Sequence, residues 1–534
     1  MSAELLAVLV GAVLISALAR RYNLSSPLVL VVAGLAVGLI PGIPDIVLDP
    51  ELVLFVILPP LLWSAGLESS YVDLRKNLAP IGWLAVGLPL ATTFAVGYVA
   101  YRTVPELTLA AGLVLGAIVA PPDAVSATAI GRRLGLPRQI MTLLGGESLL
   151  NDATALTAYK VALAAAIGAA ASPGHAAGVF VWAVIGGVLV GVVIGKAIVL
   201  IRAWLDDPLA ESAIGLVAPF VLYLIAEEVH GSGVLAVVSA ALIMGQRSTN
   251  AGFATRLQDD AVWRAVQLLL ESLAFLLIGL QLPQVIAEME GIPFRVILLS
   301  SVAVFATVLG VRLAWVFGSA FVLPAPRNPD GTRAPRPSAA GVFVVAWAGM
   351  RGVVSLAAAF GVPLTTLSNA QFPGRPHIVF LTFVVVVGTL LLQGLTLPWL
   401  IRRLDVGDDD QQHADALAIV AARTRAADAA ARRLDELLQQ ARDSGRSSEV
   451  YERGAAVLRR WNDHRKNSAW EERLGRGDDE LGASPSAAMR KMRLAMLSAE
   501  RETLIAERDA DRIDDEVLRS LLHDLDLEEA SLNR

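Results

Sequence analysis

Over its first four hundred residues the chain alternates apolar runs with short polar connections. The runs lie at about 4–19, 27–40, 51–67, 79–101, 107–130, 140–168, 177–203, 210–229, 231–246, 262–282, 294–323, 339–364 and 377–401. A helix needs about 20 residues to cross a 30 Å hydrocarbon core. Most of the runs approach that length, and the short second and ninth call for tilting or shielding by neighbours. The pattern predicts an all-α polytopic membrane protein with 13 transmembrane helices. Past residue 403 the pattern changes. Short apolar groups recur among charges at helical spacing, as in Ala416–Val420, Leu434–Leu438 and Glu516–Leu522, with interruptions near Asp443–Gly445 and from Gly475 to Pro485. That predicts three or four amphipathic helices. The polar run Asp408 to His413 reads as a solvated linker. The expected domains are therefore a membrane domain, 1–403, and a helical cytoplasmic tail, 404–534.

Composition agrees with this division. The chain is 55% hydrophobic with a mean hydropathy of +0.59, whereas a soluble enzyme of 534 residues needs a more polar surface. More than half of its charged residues follow residue 403, and the net charge of −6 arises mainly there. Nothing in it points to nucleic acid. There is no cysteine, hence no disulfide and no thiolate metal site. The first apolar run lacks a preceding basic region and is followed by Arg20 and Arg21, so no cleavable signal is expected. Taken alternately, one set of connections carries Arg20, Arg21, Arg75, Lys76, Arg132, Arg133, Arg138, Arg202, Arg247, Arg256, Arg264, Arg327, Arg333, Arg336, Arg402 and Arg403. The other is rich in acids: Asp45, Asp49, Glu51, Glu106, Glu227, Glu228, Glu288 and Glu290. Basic connections stay in the cytoplasm, which puts the N-terminus outside and the tail inside.

Thirteen runs divide into two sets of six, entered from opposite sides, around a seventh that links them. That is the arithmetic of an inverted repeat. The fifth run of the first set contains Ala120-Pro121-Pro122-Asp123, and the fifth of the second contains Ala348-Gly349-Met350-Arg351-Gly352. Proline and glycine both permit a helix to break. Two broken crossing helices at matching places point to a midplane site.

The charges retained in apolar runs supply the chemistry. Gly145-Gly146-Glu147-Ser148-Leu149-Leu150-Asn151-Asp152 places two carboxylates where each costs several kcal/mol, roughly 2.5–3.5 on insertion scales. Asp152 is the candidate carrier: a cation and a proton would compete for one carboxylate. Ser148, four residues earlier, shares its helical face and offers a hydroxyl oxygen of the kind Na⁺ prefers. The Pro122 carbonyl could add another. Asp123 and Arg351 stand at the two breaks with opposite signs, either neutralising helix ends or forming a plain ion pair. Glu147 needs a cation and Arg312, in its own apolar run, needs an anion, so the two are paired as a buried salt bridge. Glu68 is open to two readings, an interfacial charge or a ligand. Lys160 and Lys196 read as snorkelling or cavity-wall charges. Glu271 is buried with no partner assigned. His413, His464 and His523 are assigned nothing.

Gly-Glu-Ser-Leu-Leu-Asn-Asp-Ala at 146–153, with Pro122-Asp123-Ala124 before it and Gly349-Met350-Arg351-Gly352 after it, resembles the monovalent cation/proton antiporter family. That family includes prokaryotic Na⁺/H⁺ antiporters and animal sodium–proton exchangers. The resemblance covers about residues 1–403. It implies a homodimer in lipid, each protomer with a dimerisation domain and a six-helix core that moves like an elevator. It implies Asn151-Asp152 as the pair bearing the cation and proton site, with Ser148 and Glu68 near the ion. It also implies the Glu147–Arg312 bridge and the Asp123 and Arg351 pair. The Asn-Asp form resembles the electroneutral branch. One departure concerns selectivity: many members have a threonine or similar residue where this chain has Pro122, so a side-chain hydroxyl is missing.

The function expected is antiport of Na⁺, Li⁺ or K⁺ for H⁺ across the cytoplasmic membrane, serving pH and sodium homeostasis, with no enzymatic step and no cofactor. Two other classes compete. A channel-like or sensor protein that binds a cation and signals through the tail is the second class, although a sensor need not keep a two-sided path, and an organic-solute transporter fits poorly with a small site of oxygen donors. The tail either regulates transport or only solubilises and aids dimerisation.

Overall fold

A computed structural model describes residues 2–22, 24–40, 53–123, 127–128, 130–131, 134–168, 173–205, 207–247, 252–322, 338–406, 409–443, 452–463, 485–509, 521–522, 525–529 and 532. Outside these fall Asp45, Asp49, Glu51, Arg132, Arg133, Arg327, Arg333, Arg336, His464, His523 and both expected interruptions of the tail. The described chain is helical, and its one β feature is an isolated bridge between Thr365 and Gln371. It forms two compact units, residues 1–407 and 408–534.

In the first unit each apolar run is occupied by helix. They are α1 (Ser2–Arg21), α2 (Ser26–Gly38), α3 (Leu58–Glu68), α4 (Tyr71–Lys76), α5 (Leu78–Thr103), α6 (Leu109–Val119) and α7 (Arg138–Ala166). Then follow α8 (Pro173–Leu205), α9 (Pro208–Glu228), α10 (Gly233–Arg247), α11 (Phe253–Ala287), α12 (Phe294–Val322), α13 (Ala339–Trp347), α14 (Val353–Phe360) and α15 (Arg375–Arg403). Six of them, α5, α8, α9, α11, α12 and α15, are long and apolar enough to cross a membrane, and four shorter apolar helices accompany them among the described residues. The chain is a multi-pass membrane protein. Its outward surface fits a lipid solvent: Val193, Leu200 and Trp204 of α8 are exposed large apolar side chains on a helix that packs its other face inside.

Local chemistry sets the helix ends. Thr108 caps α6 by accepting from Ala111 N at 3.2 Å, and Ser338 caps α13 by accepting from Gly341 N at 3.1 Å. Asp207 caps α9 just before Pro208 at its first position. Helix α5 contains a widened π-turn at Trp83–Gly87, and the Trp83 carbonyl accepts from Trp315 Nε1 at 2.9 Å. Glycine permits the closest crossing: a Cβ at Gly34 of α2 would stand 2.9 Å from the Gly279 Cα of α11. Helix is absent from Ala120 to Asp123 and from Ala348 to Gly352, so both predicted breaks are present.

In the second unit α16 (Asp409–Asp443) and a helix over residues 452–463 form an antiparallel hairpin. Arg442 bonds Glu452 at 2.5 Å, Arg459 bonds Asp435 at 2.6 Å and Asn462 Nδ2 donates to the Ala427 carbonyl at 2.8 Å. Val420, Ala427 and Leu438 are buried, at separations of seven and eleven residues that return to one helix face. The expected linker is corrected here: from Asp409 onward its residues are the first turns of α16. Acidic residues favour a helix N-terminus, so a polar run need not be a loop. Helix α17 (Pro485–Asp509) carries Arg493 and Arg501, which pair with Glu528 and with Asp526 and Glu529.

Candidate functional site

The α7 motif begins at two glycines, of which Gly146 is the closely packed one. A Cβ at Gly146 would stand 2.6 Å from Ile81 Cδ1, so the glycine leaves room for that side chain between α7 and α5. One turn on, Ser148 and Asp152 line a cavity of about 480 Å³. Asp152 is 9% exposed. Glu68 and Ser64 of α3, Asp123 of the first break and Glu271 of α11 line it too. Four carboxylates thus face one cavity whose described lining holds no lysine, arginine or histidine. Such a cavity concentrates cations.

Asn151 is fully buried and lies outside the cavity lining. Its Nδ2 donates to the Pro122 carbonyl at 2.9 Å, and its Oδ1 has no hydrogen-bond partner among the described residues. It ties α7 to the first break rather than presenting an oxygen to the cavity. The Pro122 carbonyl is therefore partly engaged, although a carbonyl oxygen has two lone pairs.

The breaks are joined through the main chain. Asp123 N–H donates to the Met350 carbonyl at 2.7 Å, and Arg351 N–H donates to Thr389 Oγ1 of α15 at 3.0 Å. The Asp123 carboxylate lies against Gly352, the residue preceding α14, where a Cβ would stand 2.5 Å from Oδ2. A negative charge is favourable at that helix start. Arg351 is fully buried beside the ends of α13 and α14, with Arg312 and Glu147 as its charged neighbours. Its guanidinium makes no hydrogen bond among the described residues, so a direct Asp123–Arg351 side-chain contact is not among the interactions of the site.

Glu147 and Arg312 meet in a two-pronged pair: Nη1 to Oε1 at 2.5 Å and Nη2 to Oε2 at 3.1 Å, both side chains buried. Arg312 also donates from Nε to the Ala346 carbonyl and from Nη2 to the Val345 carbonyl, each at 3.0 Å. It closes the C-terminal end of α13 while holding Glu147, and Gly349 leaves room for it. Lys160 bonds Glu227 of α9 at 2.6 Å, with side chains 56% and 34% exposed, whereas Lys196 is exposed on α8.

Sequence reasoning missed Gln267 and Ser355. Gln267 Nε2 donates to Glu271 Oε1 at 2.7 Å, and its Oε1 accepts from Ser64 Oγ at 3.4 Å. The i, i+4 spacing of Gln267 and Glu271 was the available signal. Ser355 is buried on the cavity wall, three residues past Gly352.

The family described as sodium/hydrogen exchanger, transmembrane, matches residues 6–403. The chain belongs to that family. An uncharacterized Na⁺/H⁺ exchanger of Mycobacterium tuberculosis is 35% identical over 98% of this chain and 94% of its own. The Na⁺/H⁺ antiporter ApNhaP of Aphanothece halophytica is 32% identical over 74% of this chain and 73% of its own. Among solved structures, the sodium proton antiporter MjNhaP1 of Methanocaldococcus jannaschii superposes with a TM-score of 0.60. It covers 76% of this chain and 98% of its own at 18% identity, a likeness of fold. The family match ends within the last turn of α15, inside the first compact unit.

Proposed function

We propose that the chain is a secondary active antiporter that exchanges Na⁺ for H⁺ across the cytoplasmic membrane by alternating access. Cation and proton compete for Asp152. One observation carries the reading: Asp152 ends a cavity lined by carboxylates and hydroxyls, free of basic side chains in its described lining, and abutting both helix breaks. A carboxylate that holds either one monovalent cation or one proton exchanges them one for one, which makes the cycle electroneutral.

In this mechanism Ser148 and Glu68 supply further oxygens to the cation, and Pro122 its second lone pair. Asn151 positions the Pro122 carbonyl. Asp123 and Arg351 balance the half-helix ends, and Glu147 with Arg312 holds α7, α12 and α13 in register. The two breaks belong to inverted six-helix repeats within a 13-helix plan, and the protein works as a homodimer in lipid. The N-terminus lies outside, the tail lies in the cytoplasm, and the tail steadies the dimer or regulates transport. The physiological role is pH and sodium homeostasis.

The test is proton flux in proteoliposomes with an internal pH dye, adding Na⁺, Li⁺ and K⁺ in turn. A relative in Bacillus subtilis is a sodium, potassium, lithium and rubidium/H⁺ antiporter by name, which sets the ion panel. Cation-triggered flux in the wild type and none in Asp152→Asn is expected. Wild-type flux in that variant would end the mechanism. Absence of flux with every ion, in folded protein, would favour a cation sensor acting through the tail.

A further inference from the structure

Two cavity groups remain without a role. Glu271 lies on α11 and Ser355 on α14, helices that pack against each other, and both line the cavity. Glu271 sits in an apolar stretch, Leu268-Leu269-Leu270 before it and Leu273-Ala274-Phe275 after it. No ion pair relieves it among the described residues. Its charged neighbours are Asp123, Arg20 and Glu68. Gln267 fixes one of its oxygens, and Ser64 in turn orients Gln267. The other oxygen, Oε2, makes no hydrogen bond among the described residues.

Ser355 presents the complementary oddity. It is 1% exposed, and its Oγ has no hydrogen-bond partner among the described residues. A serine inside a helix commonly returns its proton to the carbonyl four residues back. Here that carbonyl belongs to Arg351, in the non-helical break before α14. The hydroxyl is left on the wall of a cavity with its oxygen unused.

We propose that Glu271 and Ser355 form a second cation station on the α11–α14 side of the cavity, where an entering monovalent cation is held before it reaches Asp152. The station rests on the antiport reading given above. A carboxylate and a hydroxyl are hard oxygen donors suited to such an ion. The cavity of about 480 Å³ is many times the ~30 Å³ that a water occupies in the liquid. An ion at Asp152 therefore leaves room for a partly hydrated one at the station. Gln267 and Ser64 are positioning residues that keep the Glu271 carboxylate aimed.

The experiment measures initial proton flux against Na⁺ concentration in proteoliposomes for wild type, Asp152→Asn, Glu271→Gln, Ser355→Ala and the double variant. Glu271→Asp and Ser355→Thr serve as conservative controls. Glu271→Gln should raise the half-saturating Na⁺ concentration on the order of tenfold, the scale of one unit charge at about 10 Å in an effective dielectric of 20. Its maximal rate should hold. Ser355→Ala should raise half-saturation by a smaller factor, and the double variant no further than Glu271→Gln alone, because a lone hydroxyl no longer has an ion to share. Both conservative variants keep the donor group and should raise half-saturation less than Glu271→Gln and Ser355→Ala, respectively. The rise in melting temperature on adding Na⁺ in place of choline should shrink in Glu271→Gln, a readout independent of transport.

Unchanged half-saturation in Glu271→Gln overturns the station. So do multiplicative effects in the double variant, or a loss confined to maximal rate and folding. An inactive wild type or an active Asp152→Asn overturns the antiport reading itself and the station with it. An active wild type, an inactive Asp152→Asn and a normal Glu271→Gln overturn the station alone.

Discussion

Asn151 Nδ2 donates to the Pro122 carbonyl across 2.9 Å, so the residue beside Asp152 is fastened to a helix break. Asn151→Ala leaves that carbonyl without its buried donor, at a cost of about 1–3 kcal/mol. The expected result is a lower melting temperature in detergent together with slower Na⁺-driven proton flux. Flux at the wild-type rate would show that the fastening is dispensable to transport.

Two ion pairs on α7 should behave very differently. Arg312→Ala strands a buried Glu147 and removes the donor from the end of α13, an expected loss of about 3–5 kcal/mol. Lys160→Ala breaks a pair that is open to its surroundings, worth about 0–1 kcal/mol. Arg351→Lys keeps its charge and should also cost less than Arg312→Ala. Thermal melts of the three variants side by side decide the order, and equal melting temperatures would contradict the assignment of Arg312 as the structural member.

Gly352→Ala tests the placement of Asp123. The added methyl group would stand 2.5 Å from Asp123 Oδ2 and must displace the carboxylate from the start of α14. Losing a favourable charge at a helix N-terminus costs about 0.3–1 kcal/mol. Flux should fall by more than so small a loss of stability explains, because the displaced group lines the cavity. A modest drop in melting temperature with unchanged flux would separate Asp123 from ion handling.

The tail offers a pH test away from the membrane. Arg493 donates to both oxygens of Glu528, at 2.6 and 2.8 Å, and this holds Glu528 below the usual carboxylate range. A depressed value in the folded state means that the stabilisation is complete above the ordinary value of about 4.3 and is lost as pH falls through the lower one. Protection from hydrogen exchange over residues 485–509 of the full-length protein, taken relative to the intrinsic exchange rate at each pH, should therefore fall on acidification below about pH 4. Glu528→Gln should show faster exchange already at neutral pH.

Residues that break a local rule were the legible ones. Glu147 and Arg312 each stand as a charge in an apolar run, and the need of each for the other is visible at a separation of 165 residues. Pro121-Pro122 and Gly349 with Gly352 mark the breaks. Periodicity does not say which neighbour a side chain meets. Asn151 could equally have turned to the cavity, and Lys160 found Glu227 in a helix that no spacing links to it. The polar start of α16 misled for a related reason: solubility and helicity are separate properties, and Asp409 satisfies both.

The contact between Gly34 and Gly279 has a mechanical consequence. Where two backbones touch, as α2 touches α11, one helix cannot shear along the other without driving carbonyls into Cα atoms. Around the cavity of about 480 Å³, residues of α3 and α11 line the same open volume as the α7 motif. Free volume is thus distributed unevenly: the α2–α11 seam has none between its backbones, and the wall that bears Asp152 borders a cavity.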